Sequence, residues 1–251
     1  MSDSVTTTRD GELLRITLAR PDRRNAFDGA MVEQLTAAFN DVGDARAIVL
    51  SGQGPSFSAG ADLNWMRTSV DLDATANQAE GLKLATLFST IDSCPTPVVT
   101  AVHGHAIAGG AGIVATCDIA VAQVGTKFGF TETRIGLIPA TISPYVINRI
   151  GVTAARRYLL TAELFSAEEA LRIGLISAVV EDAAAEAERI VETLLTVGPA
   201  AVRATKRLIR ERPSNQELAR RISEVRASAE GQAGLRAMLA GEDPPWRSSP
   251  S

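Results

Sequence analysis

Residues 95–122 read PTPVVTAVHGHAIAGGAGIVATCDIAVA. The run contains a strand entered through prolines (94–104), a glycine-dense segment where a helix ought to start, and a second strand, DIAVA, at 118–122. Strand, helix and strand in close succession are the unit of an α/β fold. The middle segment poses the question. Gly109, Gly110 and Gly112 fill three of four positions, and each glycine costs a helix about 1 kcal/mol relative to alanine. Either they permit close packing, or their N–H groups must face something.

The same alternation extends outward. Upstream, ELLRITL (12–18) places Leu14, Ile16 and Leu18 on one face of a strand. Asp28 then caps a helix with Met31, Val32, Leu35, Ala38 and Phe39 on one side. RAIVLSG (46–52) is a short buried strand, and a helix from Asp73 to Asp92 turns Ala79, Leu82, Leu87, Phe88 and Ile91 inward. Repeated ββα or βαβ turns are expected, without a repeat of fixed period. Downstream of Ile142 the character changes. Helical patterns at 142–150, 153–161 and 166–173 surround a last strand, ISAVV (176–180). Helices follow at 184–197, 199–211 and 214–240, and the tail PPWRSSPS is expected to be disordered.

Composition narrows the function. The 251 residues are 45% hydrophobic but only 4% aromatic, so small residues must pack elements closely. A net charge of −4 argues against nucleic-acid or anionic-membrane partners. Cys94 and Cys117 lack metal-ligand spacing and read as buried thiols in a reducing compartment; no metal is expected. No apolar leader follows Met1, and no run approaches the ~20 residues that span a bilayer. A cytoplasmic protein is expected.

Two further stretches carry chemistry-bearing residues. In FSAGADLNWM (57–66), small residues let a backbone approach a ligand, although a plain glycine turn would read the same. In KFGFTETRIGLIPATISP (127–144), Glu132 stands between apolar flanks. Such a carboxylate has its pKa raised, which suits a general acid or base; a solvated loop glutamate is the alternative. His103 and His105 have no nucleophile motif beside them, and no phosphate-loop fingerprint is present.

Taken together and in order, these stretches resemble the crotonase superfamily, the enoyl-CoA hydratase/isomerase family, over nearly the whole chain. The resemblance implies an α/β spiral of ββα turns with the acyl-CoA site (1–197), then a C-terminal helical region (198–251) that builds a trimer or hexamer and caps the CoA site. It also implies an acyl-CoA thioester substrate, with coenzyme A part of the substrate and no separate cofactor. The backbone N–H groups of Ala61 and Gly109 match the pair that holds an enolate oxygen. Arg23, Arg24 and Ala26 match the CoA-contacting loop; Ala59, Asp62, Leu63 and Asn64 match positions along the adenine and pantetheine. Lys206 or Arg207 stands where a basic group meets the 3′-phosphate.

One departure bears on the reaction. Hydratases of this family carry two glutamates; Glu132 matches one, while the other position holds Gly112. With one carboxylate, either Glu132 handles both proton transfers of a hydration, or the enzyme is a Δ3/Δ2-enoyl-CoA isomerase. The run IPATISPYV and its flanks look most like bacterial 3-methylglutaconyl-CoA and carboxygeranoyl-type hydratases. This implies a lyase for a branched or carboxylated enoyl-CoA, in fatty acid or branched-chain amino acid breakdown. A non-catalytic acyl-CoA-binding relative is the remaining reading. Gly112 is expected to leave room for a branch on the acyl group.

Overall fold

The computed structural model describes residues 3–247. The first two strands, β1 (Val5–Asp10) and β2 (Leu13–Leu18), form an antiparallel pair. Then come α1 (Gly29–Asn40), β3 (Ala47–Gly52), α2 (Leu63–Val70), α3 (Ala74–Ser93), β4 (Val98–Val102), β5 (His105–Ile107), α4 (Gly109–Thr116), β6 (Ile119–Gln123) and β7 (Lys127–Gly129). A 3-10 turn, Glu132–Ile135, leads to α5 (Ser143–Thr161), β8 (Phe165–Ser166), α6 (Ala167–Arg172) and β9 (Ala178–Val180). Four helices end the described chain: α7 (Ala183–Leu195), α8 (Pro199–Glu211), α9 (Asn215–Ala227) and α10 (Ala229–Ala240).

The strands sort into two sheets, ordered β1-β2-β3-β4-β6-β9 and β5-β7-β8. Successive turns of chain visit both sheets and then form a helix. β4 is followed by β5 and α4, while β6 is followed by β7 and α5. The turn before them contributes β3 and the single residue Ser58, which bridges to Ala106; Phe27 likewise bridges to Ala61. This is the expected α/β spiral of ββα turns.

Period-two alternation explains how the larger sheet is covered. Leu14, Ile16, Ile48, Leu50, Val98 and Val102 face the main core. Leu13, Ala47, Val49, Val99, Ala101 and Val121 face the opposite side, where Ala183, Ala187 and Val191 of α7 cover them. Cys94 and Cys117 are free and buried, and burial pushes the Cys117 thiol up to about 12. Both thiols are packing residues.

Several expectations are corrected. β1 escapes the apolar pattern because only Val5 of its six residues is buried. Leu82 and Ala79 are exposed; Leu82 lies roughly 140° around the helix from Leu87, and the buried face of α3 is confined to Leu87, Phe88 and Ile91. The run 214–240 is two helices, broken at Ser228, whose side chain caps α10 through the Gly231 N–H. The expected split between the helical patterns 142–150 and 153–161 is borne out: α5 bends between them at Gly151, where φ is 72°. Of the tail expected to be disordered, residues 244–247 are described, and the Trp246 carbonyl accepts from Arg46 Nη1 at 3.2 Å; residues 248–251 lie outside the described residues.

Candidate active site

The site is built from two loops stitched together by a buried asparagine. The Asn25 amide donates to the carbonyls of Gln53 and Ser56 at 2.8 and 2.9 Å, and its Oδ1 accepts the Arg20 N–H at 2.9 Å. Backbone bonds continue the seam: Ala59 N–H to Arg24 O, Phe27 N–H to Gly60 O, and Asp62 N–H to Phe27 O. Between the last two stands Ala61, whose own N–H has no acceptor among the described residues. Asp62 accepts from the Asn64 N–H at 2.8 Å, capping α2, and pairs with Arg20 at 3.0 Å. Burial alone would raise its carboxyl, but these two partners outweigh burial and hold it below the ordinary range.

Helix α4 supplies a second free donor. Its start has no side-chain cap, and Ala108 before it is held at φ 49°, a strained conformation for alanine. The Ala108 N–H is bound to Gly129 O at 2.8 Å, whereas the Gly109 N–H, first in the helix, has no acceptor among the described residues. The glycines have distinct causes. A Cβ on Gly110 would lie 2.8 Å from Ser58 Cβ, and one on Gly109 would lie 2.8 Å from the Phe27 ring. Gly110 therefore lets the helix meet the Ser58 loop. Gly109 keeps Phe27 in place.

Glu132 opens the 3-10 turn after β7 and the buried Phe130. Its Oε2 is buried and has no hydrogen-bond partner. Burial raises its pKa above the ordinary 4.5, only partly countered by its own backbone N–H. Ala61, Gly109 and Glu132 all line one cleft of about 530 Å³, walled by Phe27, Trp65, Leu84, Phe88 and Ile142. A cavity of this size, apolar with a few polar groups, has the character of a ligand site. Two free donors beside one buried carboxylate suit a reaction that places negative charge on an oxygen and moves a proton nearby.

The remaining expected residues fall in three groups. Ala59 lines the same cleft. Arg23, Arg24, Leu63 and Asn64 are exposed and do not line it, while Ala26 is buried and Asp62 is committed to Arg20. Neither Lys206 nor Arg207 lines the cleft. Lys206 donates to Asp118 at 2.6 Å and to Thr96 O at 3.2 Å, inside a larger cavity of about 740 Å³ beside α8. None of Ala61, Gly109 and Glu132 lines that cavity.

Gly112 corrects an expectation. A Cβ there would lie 3.0 Å from Ile142 Cβ and 3.2 Å from Phe88 Cε1, with Ile142 Cγ2 closer still. The space beside Gly112 is filled by protein, so it offers no room for an acyl branch. Phe88 was legible as an inward helix residue but not as a wall of the cleft, and the wall residue Trp65 and the clamp residues Arg20 and Asn25 carried no signal. Both clamp residues lie in the loop that carries Arg23 and Arg24, and a buried Asn leaves no periodic signal.

The enoyl-CoA hydratase/isomerase family model matches residues 8–241. An enoyl-CoA hydratase of Alternaria alternata is 34% identical over 234 residues, covering 88% of this chain and 76% of its own. The crystal structure of an enoyl-CoA hydratase from Shewanella pealeana superposes with a TM-score of 0.91 at 37% identity, covering 97% of this chain and 96% of that one. Pseudomonas aeruginosa AtuE superposes at 0.93 with 34% identity, covering 98% and 100%. These matches identify the chain as an enzyme. The chain belongs to the enoyl-CoA hydratase/isomerase family.

Proposed function

We propose that this enzyme adds water across the double bond of a branched or carboxylated enoyl-CoA of the 3-methylglutaconyl-CoA kind. The observation that carries the reading is the single buried, unpartnered carboxylate of Glu132 in the same cleft as the free N–H groups of Ala61 and Gly109. Ionised Glu132 takes a proton from water as the water oxygen bonds to Cβ. The π electrons move toward the thioester, and the enolate oxygen is held by the two N–H groups. Glu132 then returns the proton to Cα. Each fixed donor contributes about 3–4 kcal/mol to an oxyanion in a dry site, and the start of α4 adds positive potential.

Arg134 supports the carboxylated substrate. It lines the cleft, is exposed, and has no ion-pair partner among the described residues. The rest of the wall is largely apolar and suits a branched tail. In this reading Arg23 and Arg24 meet the nucleotide phosphates, coenzyme A enters as part of the substrate, and no separate cofactor is needed. The core 1–197 works with a helical region 198–251 in a cytoplasmic trimer or hexamer. Among the described residues, no helix is long and apolar enough to cross a membrane.

The isomerase reading rests on the same single carboxylate, since Glu132 is the only acid lining the cleft among the described residues. The conjugated thioester absorbance separates the two. Loss of conjugation with crotonyl-CoA or 3-methylglutaconyl-CoA means hydration; gain with a 3-enoyl-CoA means isomerisation. Silence with all of them leaves an acyl-CoA-binding protein. Preference for the carboxylated substrate over an uncharged chain of equal length, lost in Arg134→Gln, is the expected result.

A further inference from the structure

We infer that the Thr141 hydroxyl holds the attacking water, in the place a second carboxylate would otherwise serve. The inference rests on the hydratase reading above and adds to it a residue that positions the nucleophile. One carboxylate cannot both receive the water proton and fix the water against Cβ; a water needs at least two polar partners to be held in one orientation. Acidic help is absent from the described cleft, because Ile142 and Phe88 fill the space beside Gly112. Of the other polar side chains on the cleft, His105 faces Ser56 Oγ at 3.4 Å and Arg134 is given to the substrate carboxylate in the reading above, which leaves the uncharged threonines.

Two threonines line the cleft, Thr131 and Thr141, and neither hydroxyl has a hydrogen-bond partner among the described residues. They are not equivalent. Thr131 turns its Cγ2 toward Gly129, 3.5 Å from where a Cβ on that glycine would stand. It also directly precedes Glu132 on the same turn. Thr141 precedes Ile142, whose side chain packs over Gly112. It therefore sits beside the residue that has taken the second acid's place, on the segment that follows the 3-10 turn. Both threonines are half-buried, so a hydroxyl there is partly shielded from bulk water, where a hydrogen bond counts for more.

The chemistry closes without another reactant. The Thr141 hydroxyl hydrogen-bonds the water and undergoes no net change. Glu132 accepts one water proton as the O–Cβ bond forms, then delivers that proton to Cα, so one water is added and the carboxylate is regenerated. An α-proton removal from a saturated acyl-CoA needs Glu132 and the two N–H groups but no attacking water. That difference isolates the role of Thr141.

The test compares wild type, Thr141→Val, Thr141→Ser and Thr131→Val in two assays. One is hydration of 3-methylglutaconyl-CoA; the other is exchange of the α-proton of isovaleryl-CoA in D2O. Thr141→Val is expected to lose about 10- to 100-fold in hydration kcat, the effect of one lost hydrogen bond, with exchange unchanged. Thr141→Ser restores hydration, and Thr131→Val retains it. Hydration equal to wild type in Thr141→Val, or a loss confined to Thr131→Val, overturns the assignment, as does a parallel loss of exchange. Wild type that exchanges the proton but hydrates neither 3-methylglutaconyl-CoA nor crotonyl-CoA overturns the hydratase reading itself, and the water-holding role with it.

Discussion

Glu132 is in a position that stability alone would not choose. Its carboxyl holds its proton to a higher pH in the folded chain than in the unfolded one, because burial penalises the charge. Between the two pKa values the native state binds more protons, so stability falls as pH rises through that window. Above it the full cost of the buried charge is present. Glu132→Gln removes that cost. The variant is expected to lose 10²- to 10⁴-fold in kcat, the usual worth of a positioned acid–base group, yet to melt higher than wild type at neutral pH. Well below pH 4.5, where Glu132 is protonated in the folded and the unfolded chain alike, the two proteins should melt alike. The acid limb of kcat/KM in wild type should also lie above the ordinary carboxylate value. Thermal melts at three pH values and a pH–rate profile check all of this. A less stable variant at neutral pH would show that Glu132 has a structural partner that the geometry lacks.

Helix α4 shows what can and cannot be read from a string of residues. Three glycines in four positions announced close approach, and the structure finds a separate neighbour for each: the Phe27 ring, Ser58 and Ile142. The neighbours themselves were invisible, because each comes from a segment at least 30 residues away in sequence. Gly112→Glu is therefore expected to destabilise the fold, by the 1–3 kcal/mol typical of overpacking or more, with hydration falling on branched and unbranched substrates alike. A lower melting temperature is the first readout; a well-folded variant with raised crotonyl-CoA turnover would show that Ile142 yields. Gly109→Val meets Phe27 before it meets a substrate, so its effect includes a displaced cleft wall. The same contrast holds elsewhere. Alternation along β2, the buried run of β3 and the Asp28 cap were legible, since they depend on neighbours in sequence. β1, the Asn25 clamp and the partners of Lys206 were not, since they depend on pairing across the fold.

The whole molecule is asymmetric in how well its parts are covered. The sheets and α1–α7 enclose two clusters of buried side chains, but α8 and α9 contain no buried residue at all. Ile209, Ile222, Met238 and Leu239 on α8–α10 are between 55% and 81% exposed. A single chain tolerates scattered apolar residues on its surface, and a concentration on three successive helices is the face that the proposed assembly would bury. A closed ring of identical chains buries such a face on every subunit, and the proposed trimer or pair of trimers does so. Light scattering at micromolar concentration is expected to give three or six times the 26.4 kDa chain mass. Replacing Ile209 and Leu239 with Glu probes the face directly. Both side chains are already in water in the single chain, so the monomer's own stability should change by no more than about 0.5 kcal/mol per site. The mass should nevertheless drop toward one chain, because two buried charges per subunit would oppose assembly. A wild-type mass of 26.4 kDa contradicts the assembly, and an unchanged multimer in the double variant moves the interface off these helices.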